Sequence, residues 1–237
     1  MNSGDSGGYP AVRSSRGARL LKMRAWPMID MLFGTAVTLL ARGVTGVRAE
    51  WQGCAPDARS RVYFANHTSH GDSVLVWTVL PPVMRRNTRP VAGSGYWNAN
   101  ATRRFFADRV FHSVLIDRNW AARNGDPMKL MTDALDAGAS LILFPEGTRN
   151  VTEERLLPFK SGLYHLAMAR PQVELVPVWL ENLNRMMPKG EVFPIPLLCT
   201  VTFGAPLTIS AQEDRSAFLG RARTALLATA AARAAAQ

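Results

Sequence analysis

The sequence predicts an α/β fold: a single domain with a mixed central sheet flanked by helices, extended at its N-terminal end by a helix suited to a membrane interface. Three observations lead there. Short apolar runs such as RVYFA (61–65) and LILF (141–144) recur along the chain, with helix start and stop signals between them. The 237 residues are 47% hydrophobic and 19% charged, enough apolar material for one substantial core and too much for a disordered chain. An apolar stretch near the N-terminal end confines its polar residues to one narrow stripe.

Residues 1–24 are rich in Gly, Ser and Arg and nearly devoid of apolar side chains, so they are expected to form a mobile basic arm. From Ala25 to Ala41 only Asp30, Gly34 and Thr38 interrupt the apolar run, and their four-residue spacing aligns them on one helical stripe. A bilayer span needs about 17 to 25 residues, and Asp30 would be costly at its centre, so residues 25–42 are expected to lie in the interface. A signal peptide is the poorer alternative, because Asp30 breaks the apolar run and no A-x-A site follows. A helix buried in the core of a soluble domain is the other.

The remaining chain, residues 43–237, reads as the domain proper. Residues 61–65 and 111–116 are predicted strands. Asp126 then caps a helix that has Pro127 at its first position and Gly138 just past its end. A buried strand at 141–144, a helix at 161–169 and strands at 175–180 and 199–203 follow. Ser210 and Glu213 have the spacing of a capping box and are expected to open the last helix.

A net charge of +10, from 28 basic and 18 acidic residues, favours an anionic partner: lipid head groups, nucleic acid or a phosphorylated substrate. Charge does not choose among them. Cys54 and Cys199 are far apart and lack CxxC spacing, which argues against a disulfide framework or a thiolate metal cage and suits a reducing cytoplasm.

The sharpest chemical signal is NHTSHGD (66–72), directly after the first of those strands. On one continuous helix His67 and Asp72 would lie about 140° apart and never meet. With His67 in the loop and Asp72 in the first turn of the next helix, the carboxylate can fix the imidazole tautomer and stabilise the imidazolium. A lone loop histidine often only satisfies a hydrogen bond, and His70 makes a zinc set of His67, His70 and Asp72 a competing reading. FPEGTR (144–149) ends the buried strand, where α/β sheets bind ligands. Gly147 admits close approach, Glu146 accepts hydroxyl protons, Thr148 follows, and Arg149 suits phosphate. P-E-G is also an ordinary turn sequence. Arg118, in IDR (116–118), falls on the same predicted rim unless it merely pairs with Asp117, and Lys160 is a further basic candidate.

Together, Asn66-His67-x4-Asp72, Ile116-Asp117-Arg118, Phe144 to Arg149 and Val176-Pro177-Val178 resemble the four ordered blocks of the glycerolipid acyltransferases, in particular the bacterial lysophosphatidic acid acyltransferases, over roughly residues 60 to 206. The resemblance implies a His67–Asp72 catalytic dyad, a glycerol-phosphate site using Arg118, Glu146 and Gly147, and an acyl-donor region around Pro177. The implied reaction moves an acyl chain from acyl-CoA or acyl carrier protein to 1-acylglycerol-3-phosphate, with no cofactor. The implied place is the cytoplasmic side of the inner membrane, as a peripheral or monotopic protein, with a lysophospholipid, the acyl donor and the membrane surface as partners and no nucleic acid. Two positions depart from the pattern: His112 stands where Gly is common, and Leu115 where an aromatic is common. Tyr96-Trp97 and residues 180–191 lie outside the blocks, and either shape a different lysolipid site or merely pack. The alternatives kept are a His/Asp zinc hydrolase and a non-enzymatic basic adaptor for membranes or nucleic acid.

Overall fold

In the computed structural model, residues 28–117, 126–181 and 199–235 are described. Their seven strands are β1 (Arg48–Trp51), β2 (Arg61–Ala65), β3 (Thr88–Gly93), β4 (Val114–Ile116), β5 (Ser140–Leu143), β6 (Glu174–Glu181) and β7 (Thr200–Phe203). They form one sheet in the order β1-β7-β6-β2-β5-β3-β4. Strands β2 to β6 all run in one direction, while β7 pairs antiparallel to β6 and β1 runs parallel to β7. The sheet is mixed, as its sequence implied.

Helices cover both faces, which is why β2 and β7 are buried at every residue and read as continuous apolar runs. Tyr63 and Ala65 pack with Trp77 and Leu80 on one face; Val62 and Phe64 pack with Leu135, Leu163, Leu166 and Phe218 on the other. The alternation follows from the two-residue period of a strand. On the first face lies α2 (Asp72–Val79) with α1 (Met28–Thr45); on the second lie α6 (Pro127–Asp136), α7 (Gly162–Ala169) and α8 (Arg215–Ala235). Short helices α3 (Pro82–Asn87), α4 (Ser94–Trp97) and α5 (Ala101–Phe105) complete the first side, and a π-turn (Phe106–Val110) continues α5.

Strand β3 lies where the sequence reading placed no strand, and it contains Pro90, a residue that central strands rarely accept. Its pairing shows how Pro90 is accommodated: the register with β5 ends at Pro90, and the register with β4 starts at Val91. The strand expected over 111–116 shortens to β4, because Phe111 closes the π-turn (Phe111 N–H to Phe106 O, 2.9 Å) and His112 has a φ of 47°. Asp126 caps α6 as expected, accepting from Met128 N–H at 2.9 Å, and Gly138 turns the chain at φ 81°. The cap of α8 needs correction. Ser210 and Glu213 do bond reciprocally, yet the helix begins at Arg215, and Asp214 accepts from the N–H groups of Ser216 (2.7 Å) and Ala217 (3.2 Å).

Helix α1 is docked by its polar stripe. Asp30 and Thr38 are buried, whereas Met28 (79% exposed), Leu32 (67%), Leu39 (67%) and Leu40 (69%) face outward. Asp30 pairs with Arg109 at 3.2 Å, and Thr38 accepts from Arg85, whose guanidinium lies 5.2 Å from the centre of the Trp77 ring. A core helix would bury its apolar face; α1 does the reverse. No described helix is long and apolar enough to cross a membrane.

Candidate active site

Residue Asn66 sets the start of the site. Its side-chain amide mimics a strand partner, donating to Leu180 O (3.0 Å) and accepting from Leu180 N–H (2.8 Å), so the chain leaving β2 stays tied to β6. His67 then sits in the loop and Asp72 at the first position of α2. The imidazole Nδ1 and Asp72 Oδ2 are 2.8 Å apart. Since a carboxylate only accepts, a neutral imidazole facing it carries its proton on Nδ1 and keeps the Nε2 lone pair. Oδ2 also accepts from the N–H groups of Thr68 (2.6 Å) and Ser69 (2.9 Å), which closes the bend that the H-x4-D spacing required. Asp72 is wholly buried, while about a fifth of the His67 side chain remains exposed.

Glu146 does not line the cavity. It is buried, and its oxygens accept from the backbone N–H groups of His67 (2.7 Å) and Leu157 (2.9 Å). Burial raises its carboxyl above the usual range, against the pull of those two amides. Asn150 N–H donates to His67 O at 2.6 Å, so both backbone groups of His67 are held by the FPEGTR side of the site. Phe144 adds a stacked ring, 4.3 Å from the imidazole centre. Glu146 therefore positions the His67 loop.

A cavity of about 900 Å³ opens at the C-terminal ends of β3, β4 and β5, beside the loop that follows β2. His67, Gly147, Thr148 and Arg149 line it, with Val91 to Gly93, Ile116 and Leu143 forming apolar wall. Gly147 has a φ of 70°, and a side chain there would meet the Lys160 stem at 3.1 Å. Lys160 itself does not line the cavity, and neither does Pro177, which is buried in β6 opposite Phe64. Arg118 and residues 182–191 lie outside the described residues, as does the basic arm. His70 stacks on Tyr96, away from the dyad bond, and among the described residues no three His, Cys, Asp or Glu groups are arranged to hold a metal ion. Asn66 and Phe144 were missed as site residues although both stand inside the quoted motifs. Tyr96 and Trp97 line the cavity too, and a single adjacent aromatic pair gave too little signal to assign them.

Residues 48–181 match the family described as Acyltransferase. The chain is 29% identical over 204 residues to a 1-acyl-sn-glycerol-3-phosphate acyltransferase of Limnanthes alba, covering 81% of this chain and 67% of that protein. It is 30% identical over 183 residues to 1-acyl-sn-glycerol-3-phosphate acyltransferase alpha of Mus musculus, covering 72% of this chain and 58% of the mouse protein. The crystal structure of the 1-acyl-sn-glycerophosphate (LPA) acyltransferase PlsC from Thermotoga maritima aligns over 91% of this chain and 86% of that one, with a TM-score of 0.68 and 17% identity, a likeness of fold.

Proposed function

This chain belongs to the acyltransferase family, and from that premise we propose that it moves a fatty acyl chain from an acyl thioester to the free hydroxyl of 1-acylglycerol-3-phosphate or a related lysophospholipid, giving phosphatidate. The observation that carries the reading is the His67–Asp72 pair at 2.8 Å, beside a cavity that also exposes Arg149. A hydroxyl is a poor nucleophile while protonated. His67 Nε2 takes its proton as the oxygen attacks the thioester carbonyl, and Asp72 stabilises the imidazolium. When the tetrahedral intermediate collapses, the C–S bond breaks and the thiolate leaves, taking up the proton from His67. No acyl-enzyme is needed, because the thioester is already activated. Arg149, without a carboxylate partner among the described residues, suits the acceptor's phosphate.

The test uses purified protein with acyl-CoA or an acyl carrier protein thioester and a panel of lysolipids. Thiol release matched one-to-one by phosphatidate is expected with 1-acylglycerol-3-phosphate. Thiol release without a diacyl product would show a thioesterase and sink the reading.

We further propose that the protein works on a membrane, at the cytoplasmic face of the inner membrane. Helix α1 supports this: its apolar residues face outward, held by a polar stripe against the body. Burying an exposed leucine contributes about 1.5 to 3 kcal/mol. Replacing Leu32, Leu39 and Leu40 together by Asn is expected to weaken sedimentation with anionic vesicles by at least about tenfold, without loss of thermal stability, since all three are exposed. Undiminished vesicle binding would refute the interface.

A further inference from the structure

The dyad uses none of His70, Tyr96 and Arg103, a stacked group of which His70 and Tyr96 line the cavity and Arg103 lies against Tyr96 outside that lining. His70 occupies a position inside the H-x4-D spacing, Tyr96 lies in α4 and Arg103 in α5. The His70 and Tyr96 rings are stacked with centres 4.3 Å apart and planes 11° from parallel, and the Arg103 guanidinium carbon lies 4.3 Å from the centre of the Tyr96 ring. His70 and Tyr96 line the cavity together with Gly147, Thr148 and Arg149.

Charge beside this group is mainly positive: among the described residues no carboxylate pairs with Arg103 or Arg149, and Asp117 is the one acidic side chain in the cavity lining. The imidazole of His70 is held below its usual range by partial burial and then by Arg149, His67 and Arg103, against a smaller opposing effect of Asp72. Arg149 in the lining and Arg103 behind Tyr96 give this wall a positive potential that favours an anion.

We propose that His70, Tyr96 and Arg103 form a second phosphate-reading wall of this cavity: the imidazole N–H donates to a phosphomonoester that also reaches Arg149, and Arg103, stacked on Tyr96, adds positive charge behind that wall. The proposal rests on the acyltransferase reading, in which either substrate can bring such a phosphate, the lysophospholipid acceptor or the nucleotide part of acyl-CoA. His70 and Arg103 are then specificity-determining residues, distinct from the dyad.

The experiment compares wild type, His70→Gln and Arg103→Gln with paired substrates. One arm sets lysophosphatidate against 1-monoacylglycerol with the donor fixed; the other sets acyl-CoA against the acyl thioester of pantetheine with the acceptor fixed. Removing that hydrogen bond, or the charge behind it, is expected to raise KM about tenfold for the phosphate-bearing member of one pair, with kcat little changed and its phosphate-free partner unaffected. The pair that responds identifies the source. Equal shifts on phosphate-bearing and phosphate-free substrates, or no shift in either arm, would overturn the proposal. A readout without turnover separates it from the proposed reaction: the His70 ring C–H resonances should move saturably on titration with glycerol 3-phosphate or with 3′-phosphoadenosine diphosphate, and the Arg103→Gln protein should need about tenfold more ligand. If that shift appears in an enzyme that forms no phosphatidate, the reaction assignment fails and the phosphate wall stands. If neither ligand moves the resonances, the wall falls whatever the activity.

Discussion

Replacing His67 by Ala is expected to lower acyl transfer by at least about 10²-fold, the usual contribution of a positioned general base, while leaving the protein folded. Both halves of that expectation come from the geometry. The side chain offers a ring nitrogen to the cavity, with its other nitrogen 2.8 Å from a buried carboxylate. The backbone of His67 is held separately, by Glu146 through its N–H and by Asn150 through its C=O, so the loop keeps its path without the imidazole. The fold loses the stacking on Phe144 and the imidazole's bond to Asp72, whose Oδ2 keeps its two backbone donors from Thr68 and Ser69. Turnover measured with saturating donor and acceptor, next to thermal unfolding, checks the expectation. Activity within tenfold of wild type in a folded variant would mean that the acceptor is deprotonated by another group.

The sheet strands with strong apolar runs were legible because burial on both faces leaves no polar position to confuse the pattern: β2, β5, β6 and β7 all appear within a residue or two of where the sequence put them. Strand β3 was illegible because its Pro90 is acceptable only at a change of partner, a tertiary fact. The meeting of His67 and Asp72 was legible only as a condition: a five-residue separation forbids it on one helix, so it needs a bend between them, and Asp72 itself closes that bend through Thr68 and Ser69. Glu146 was harder. A carboxylate beside a glycine in a ligand-binding loop reads as a substrate contact, and only the fold shows that its oxygens face two buried amides.

His112 joins both kinds of reading. In sequence it was a departure from a pattern that favours Gly, without a stated cause. Its φ of 47° supplies one: the chain leaving the π-turn needs the left-handed region, which a non-glycine residue adopts at a cost of about 1 to 2 kcal/mol. The departure therefore concerns the backbone between the π-turn and β4, at the edge of the sheet where β4 brings Ile116 and Asp117 to the cavity.

Asp72→Asn is expected to be nearly as damaging to turnover as the loss of His67, for a different reason. Oδ2 accepts three bonds, from His67 Nδ1, Thr68 N–H and Ser69 N–H, while Oδ1 is buried with no hydrogen-bond partner among the described residues. The two backbone donors hold the amide oxygen of an asparagine in the Oδ2 place and turn its NH2 toward the Oδ1 place. The imidazole thus keeps its tautomer, and what disappears is the negative charge that stabilises the imidazolium. A fall in kcat of about 10²-fold follows, with KM for both substrates close to wild type. The buried, unpartnered NH2 adds a destabilisation of about 1 to 3 kcal/mol. Asp72→Ala removes the charge and all three bonds, so it should lose at least as much activity and unfold at a lower temperature than the asparagine variant, by about 2 to 4 °C for each further kcal/mol. The kcat and thermal midpoints of the two variants test the division of labour. Near-normal turnover in Asp72→Asn would show that the carboxylate charge is not required, and equal midpoints would show that the bonds to Thr68 and Ser69 do not hold the loop.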